Sequence, residues 1–160
     1  MTEVFRYSRT IYLQDITVFG NAYYASYFLW QGEGRDLLFK EVVGDPKAIY
    51  ESGLKLVTLE ASMRFTGELN LMDELHIEIY PSKITITTIE LHFSFKKNKT
   101  ESLIAEGHQR IGFIGKKGHP VALPKKLLEN GRKFLSKDLL ESAMKIERKI
   151  SWIQANSALK

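Results

Sequence analysis

The chain has 160 residues, 44% hydrophobic and 26% charged, with a formal net charge of +4. That length suits one domain with its own core. The absence of cysteine excludes disulfides and thiolate chemistry and makes a reducing or neutral compartment the default. No run approaches the roughly 18 consecutive apolar residues of a membrane span, and Met1-Thr2-Glu3 does not open a basic-then-apolar signal region. A cytoplasmic, soluble protein is expected, with a charge that permits an acidic partner without demanding one.

In chain order, residues 3–13 alternate loosely and predict a strand. Residues 15–20 read as an exposed connection. Gly20-Asn21 marks a turn, with Asn21 as helix N-cap. From Ala22, Tyr23, Ser26, Tyr27, Trp30, Gly34, Leu37 and Leu38 recur at helical steps, so one face must be buried. The helix fades near Val43, and Gly44-Asp45-Pro46 breaks it. Gly32 and Gly34 each cost about 1 kcal/mol against alanine inside a helix, which points to close approach of another backbone or a ligand. A short helical turn follows at residues 47–53.

The next stretch reads as strands and turns. Strands are predicted at 54–66, 74–81, 84–95 and 102–114, with turns at 69–73, 96–100 and 116–118 and an edge piece at 121–123. The phase slip at Thr87-Thr88 reads as a bulge, and Gly107 as another. The order is strand, long helix, then four or so antiparallel strands in meander order, with no βαβ alternation. This predicts an α+β fold in which a curled antiparallel sheet wraps one long central helix. Residues 124–160 are helical in pattern and rich in Lys and Arg, with a break near Gly131.

The familiar catalytic constellations are missing. There is no P-loop and no GxGxxG. His76, His92, His108 and His119 lack metal-ligand spacing, so no metal site is expected and His76 and His92 read as polar strand-face residues. No serine sits on a nucleophile elbow, and no aromatic platform motif supports nucleic-acid binding. The turn before the helix remains. A helix N-terminus presents open N–H groups and partial positive charge, which stabilise a developing oxyanion. The N–H groups near Tyr23 and Tyr24 are suitably placed. Tyr27 lies one turn on and Arg35 two turns further, near the same face. The structural alternative is that Tyr27 is a core aromatic and that Arg35 pairs with Glu33, Asp36 or Glu68.

Four pieces carry a resemblance: the strand ending in Asp15, VFGNAYYASYFLWQGEGRDLLF (18–39), LEASMRFTGELNLMDEL (59–75) and AEGHQRIGFIGKKGHPVALP (105–124). They are similar to the 4-hydroxybenzoyl-CoA thioesterase group of the hotdog superfamily. Within it, the spacing of Gly20, Asn21, Tyr23, Tyr27, Trp30, Gln31, Gly32 and Arg35 resembles the thioesterases of enediyne polyketide biosynthesis. The resemblance implies a hotdog domain over residues 1–124, five or so strands around the central helix, and a C-terminal helical extension, 125–160, packed on the same domain.

It also implies a site. The broad family carries a catalytic aspartate where Thr17 stands, and the enediyne branch an asparagine. Thr17, Tyr27 and Arg35 are the implied catalytic residues, with Asn21, Tyr24 and Glu68 at the substrate. Glu33 and Glu68 are reserve general bases, and Ser62 and Arg64 weaker candidates for substrate contact. The implied reaction is water attack on a β-keto or polyene thioester of an acyl carrier protein or polyketide synthase. There would be no acid at the usual position, no covalent intermediate and no cofactor. The alternatives are a general acyl-CoA thioesterase and a non-catalytic hotdog binding protein. A homodimer or homotetramer is implied, without nucleic acid or membrane partners. The basic C-terminal helix would receive the carrier protein or pack on the sheet.

Overall fold

The computed structural model describes residues 2–157. Its centre is helix α1, Tyr24–Val43, which buries Tyr27, Trp30, Gln31, Gly34, Leu38, Phe39 and Val42 along one stripe. Gly44 ends it at φ +84°, a conformation that glycine adopts without strain. The Asp45 carboxylate then accepts the Lys47 N–H and opens the short helix α2, Pro46–Glu51. Gly34 has the packing reason expected of it. A Cβ there would lie 2.5 Å from Ile79 Cδ1 and 2.7 Å from Tyr7 Cε1, so sheet side chains rest directly on the helix backbone. Gly32 does not, since a Cβ there meets nothing within 4 Å. Among the described residues, close approach of the chain to itself therefore accounts for Gly34 and not for Gly32.

Five strands, β1 (Phe5–Thr10), β2 (Lys55–Phe65), β3 (Glu74–Ile84), β4 (Thr88–Lys97) and β5 (Leu103–Ile114), form one antiparallel sheet in the order β1-β3-β4-β5-β2. Leu75, Ile77 and Ile79 of β3 and Ile89, Leu91, Phe93 and Phe95 of β4 are buried, as alternation requires of the face turned to α1. Each contributes about 1.5–3 kcal/mol by leaving water. This is the hotdog arrangement expected, with α1 against the concave face.

Several local expectations change. Only β3, β4 and β5 form a meander, because β2 crosses to the far edge and pairs with β5. β3 runs through Pro81 to Ile84, with its irregularity at Pro81/Lys83. The phase slip at Thr87-Thr88 is the β3–β4 turn itself, held by Thr85 Oγ1 accepting the N–H groups of Thr87 and Thr88. Gly107 makes no bulge, since it pairs with Met63 in unbroken register; the bulge on that strand pair lies at Thr58/Glu60. A Cβ at Gly107 would meet Gln31 Nε2 at 2.6 Å, and through that gap Gln31 donates to the Ser62 carbonyl at 3.1 Å. Residues 121–123 form backbone bonds to Phe113 and Ile86 without becoming a strand. Asn21 does not cap α1; Tyr23 holds that position, and Asn21 bridges to Asn70.

The C-terminal segment breaks at Gly131 as expected, into α3, Lys125–Gly131, and α4, Lys137–Ser157. Residues 158–160 of the expected extension lie outside the described residues. Leu127 and Leu128 of α3 face Leu38 and Val42 of α1 and Ile84 and Leu91 of the sheet across an apolar cavity of about 40 Å³. Asn130 Nδ2 donates to the Val42 carbonyl at 2.8 Å, satisfying an acceptor that the end of α1 leaves open. Among the described residues, no helix is long and apolar enough to cross a membrane.

Candidate active site

The loop between β1 and α1 is tied at every turn. Asp15 is buried; its carboxylate accepts the Tyr12 N–H at 3.0 Å and faces Arg9 at 3.4 Å. Its carbonyl accepts the Tyr23 N–H at 2.8 Å. The Thr17 N–H donates to the Asn21 carbonyl, the Gly20 N–H returns to the Thr17 carbonyl, and Gly20 turns at φ +88°. The Ala22 N–H reaches the Leu69 carbonyl at 2.7 Å and so joins this loop to residues 69–73. Val18 and Phe19, at the tip, are almost wholly exposed.

Within this loop Thr17 and Asn21 are in direct contact. Thr17 Oγ1 donates to Asn21 Oδ1 at 2.6 Å and accepts the Phe19 N–H at 3.1 Å. The hydroxyl's single proton is therefore committed, and among the described residues the amide NH2 of half-buried Asn21 has no acceptor. One residue beyond the loop, α1 begins. Among the described residues, the N–H groups of Tyr24 and Ala25 have no acceptor, as the first turn of a helix dictates. The Tyr24 ring lies outside, edge-on to Tyr23 at 4.8 Å.

Tyr27 belongs to the core by packing and to the β2–β3 connection by charge. Its ring meets Trp30 at 4.8 Å, Phe65 at 5.0 Å and Phe95 at 5.5 Å. Burial, then the negative charges of Glu68 and Asp73, push its phenol up to about 12. Tyr27 therefore keeps its proton at neutral pH and can donate but not act as a base. Glu68 is exposed, on the stretch between β2 and β3.

Arg35 stands apart. Eight residues on, it lies about 12 Å along the helix axis from Tyr27. Of the partners considered for it, Asp36 is the one it takes: Nε donates to Asp36 Oδ1 at 2.9 Å, and another guanidinium nitrogen reaches Thr58 Oγ1 on β2 at 3.1 Å. Glu33 instead pairs with Arg9 at 2.8 Å, and Arg9 stacks over Trp30 at 4.8 Å. Arg9 and Asp15 thus form an ion-paired brace under the loop. The sequence does not reveal this pairing, because a brace between a strand and a loop has no local pattern. On β2, Ser62 lends its carbonyl to Gln31, and Arg64 pairs with Glu106.

A family model described as the thioesterase-like superfamily matches residues 11–131. No curated protein sequence matches. Among solved structures, a dynemicin thioesterase described with bound polyene is 22% identical, with TM-score 0.77, covering 82% of this chain and 97% of that one. The 1,4-dihydroxy-2-naphthoyl-CoA thioesterase of Synechocystis is 17% identical, with TM-score 0.75, covering 80% and 95%. A Staphylococcus aureus protein solved with CoA is 16% identical, with TM-score 0.77, covering 81% and 82%. At such identities the likeness shows the fold. The chain belongs to the thioesterase-like superfamily, and its activity class is thioester hydrolysis.

Proposed function

From membership of the thioesterase-like superfamily, we propose that the chain hydrolyses a polyketide-type acyl thioester, β-keto or polyene, carried by an acyl carrier protein in the cytoplasm. The observation that carries this reading is the 2.6 Å bond from Thr17 Oγ1 to Asn21 Oδ1 beside the open N-terminus of α1. The 4-hydroxybenzoyl-CoA group has an acid at position 17 and the enediyne branch an amide. Here the threonine holds an amide by its oxygen, so that an NH2 donor returns to the site from position 21.

In the proposed reaction, the thioester carbonyl lies against the Tyr24 and Ala25 N–H groups. Water attacks the carbonyl carbon, and the oxyanion forms where those donors and the helix dipole stabilise it. Asn21 donates to the same oxygen or to the water. Glu68 takes the water's proton, which passes to the departing thiolate as the C–S bond breaks. Tyr27 closes the inner wall and donates its retained proton as a hydrogen bond. Arg35 reaches a β-keto oxygen only of a chain that runs two turns along α1, where its planar fork would hold it.

A homodimer, or a tetramer built from dimers, completes the reading. β2 is an eleven-residue edge strand whose second side has no neighbour among the described residues. Such an edge is a template for another chain, and Leu59, Phe65, Val18 and Phe19 are exposed apolar side chains.

The test is hydrolysis of matched acyl-carrier and acyl-CoA thioesters by the wild type, Asn21→Ala, Tyr27→Phe and Arg35→Ala. Turnover of the carrier thioester, lost in Asn21→Ala, is expected. Turnover of CoA thioesters alone moves the assignment to a general acyl-CoA thioesterase, the reading favoured by the CoA-linked structural relatives. No turnover on either substrate class leaves a binding protein.

A further inference from the structure

The face of the sheet turned away from α1 carries a second cluster that thioester hydrolysis does not use. His92 of β4 and His108 of β5 are direct cross-strand partners. Because Leu91 and Phe93 point to the helix, His92 points away from it. The two imidazole rings stand 4.7 Å apart, centroid to centroid, at 77°. His92 also stacks on Tyr80 at 4.9 Å and 26°, which fixes its ring plane.

We propose that His92 and His108 chelate a divalent transition-metal ion, Cu²⁺, Ni²⁺ or Zn²⁺, on this outer face of the sheet. A metal bound at about 2.0–2.1 Å to each nitrogen lies about 3.2 Å from each ring centroid. An angle of about 90–109° at the metal then sets the centroids about 4.5–5.2 Å apart. The observed separation falls inside that window.

The outer partners fit as well. A ligating histidine engages its second ring nitrogen with a polar neighbour. His108 Nδ1 faces the Glu90 carboxylate at 3.9 Å, and His92 Nδ1 faces Ser94 Oγ at 3.5 Å. Nε2 of each ring is the donor left over. The His108 side chain is half exposed, which leaves an entry path. Among the described residues, no group of three or more His, Asp or Glu side chains has metal-holding geometry. The site is therefore an open two-imidazole chelate completed by water, and it staples β4 to β5.

The experiment is calorimetric titration of the tag-free full chain with CuCl₂, NiCl₂ and ZnCl₂ at pH 7.5, with copper-EPR of the Cu²⁺ form. One equivalent per chain is expected, tighter for Cu²⁺ than for Ni²⁺ or Zn²⁺, with two imidazole nitrogens in the copper spectrum and a Tm that rises with free metal. His92→Gln and His108→Gln should each abolish it. Glu90→Gln should weaken it about tenfold, and His76→Gln and His119→Gln should leave it unchanged. Metal-free melts of every variant establish folding, and half-exposed His108 is the safer of the two substitutions. Binding that survives His108→Gln, a copper spectrum with fewer than two imidazoles, or no binding by the wild type overturns the proposal.

Discussion

The two ends of α1 solve the same problem in opposite ways. Every helix end leaves backbone groups without partners. At the C-terminal end, the Val42 carbonyl is taken by Asn130, and Leu127 and Leu128 close the space apolar residue against apolar residue. At the N-terminal end, Asp15 takes the Tyr23 N–H, but those of Tyr24 and Ala25 stay open beside Thr17 and Asn21. One end is sealed for stability. The other leaves those N–H groups without protein acceptors, above the Arg9–Asp15 ion pair, which is the arrangement the proposed reaction needs.

That contrast can be broken from either side. Leu128→Ala at the sealed end should cost about 2–5 kcal/mol in thermal denaturation and leave the kcat of the folded fraction intact; a large loss of kcat in folded protein would erase the division of labour. At the open end, Asn21→Ala should lower kcat/KM about a hundredfold while Tm barely moves, and a rate equal to wild type removes the amide from the reaction. Between the ends, Gly34→Ala should destabilise by about 1–3 kcal/mol, because Ile79 and Tyr7 occupy the space. Gly32→Ala should instead stabilise by up to about 1 kcal/mol, because its Cβ meets nothing; equal melting shifts for the two would mean that packing does not distinguish them.

A test confined to alkaline pH concerns Tyr27. Its folded pKa, about 12, lies above the ordinary 10.0, so the folded chain holds the proton more tightly than the unfolded chain does. The corresponding stability is complete below pH 10 and is lost between about pH 10 and 12. Melting midpoints of wild type should therefore fall faster over that window than those of Tyr27→Phe. Parallel curves would show that burial of the phenol is not coupled to folding.

Much of this was legible in residue order alone, and the limits are physical. The stripe from Tyr27 to Val42 announces α1, because helical periodicity is local. The strands announce themselves by alternation, yet the placement of β2 beside β5 depends on pairing residues 40 to 59 positions apart, which no local pattern encodes. The β3–β4 turn reads as a bulge in sequence because Thr85–Thr88 uses hydroxyl bonds in place of glycine or proline. Asn21 looks like a cap because its neighbours in sequence are a glycine and a helix. Its real partners, Thr17 and Asn70, become visible only once the loop is folded. His92 and His108 are sixteen residues apart in the chain and adjacent on the sheet, so ligand spacing along the sequence could not reveal them.

The hydrogen bond from Gln31 to the Ser62 carbonyl fastens the central helix to an edge strand through the main chain of that strand. A tether to a carbonyl is indifferent to the side chain that the strand carries there. Position 62 is therefore free to change with whatever lies along β2, and the helix stays anchored. The constraint falls instead on Gly107, one strand over, where even a methyl group would stand in the path of the glutamine amide.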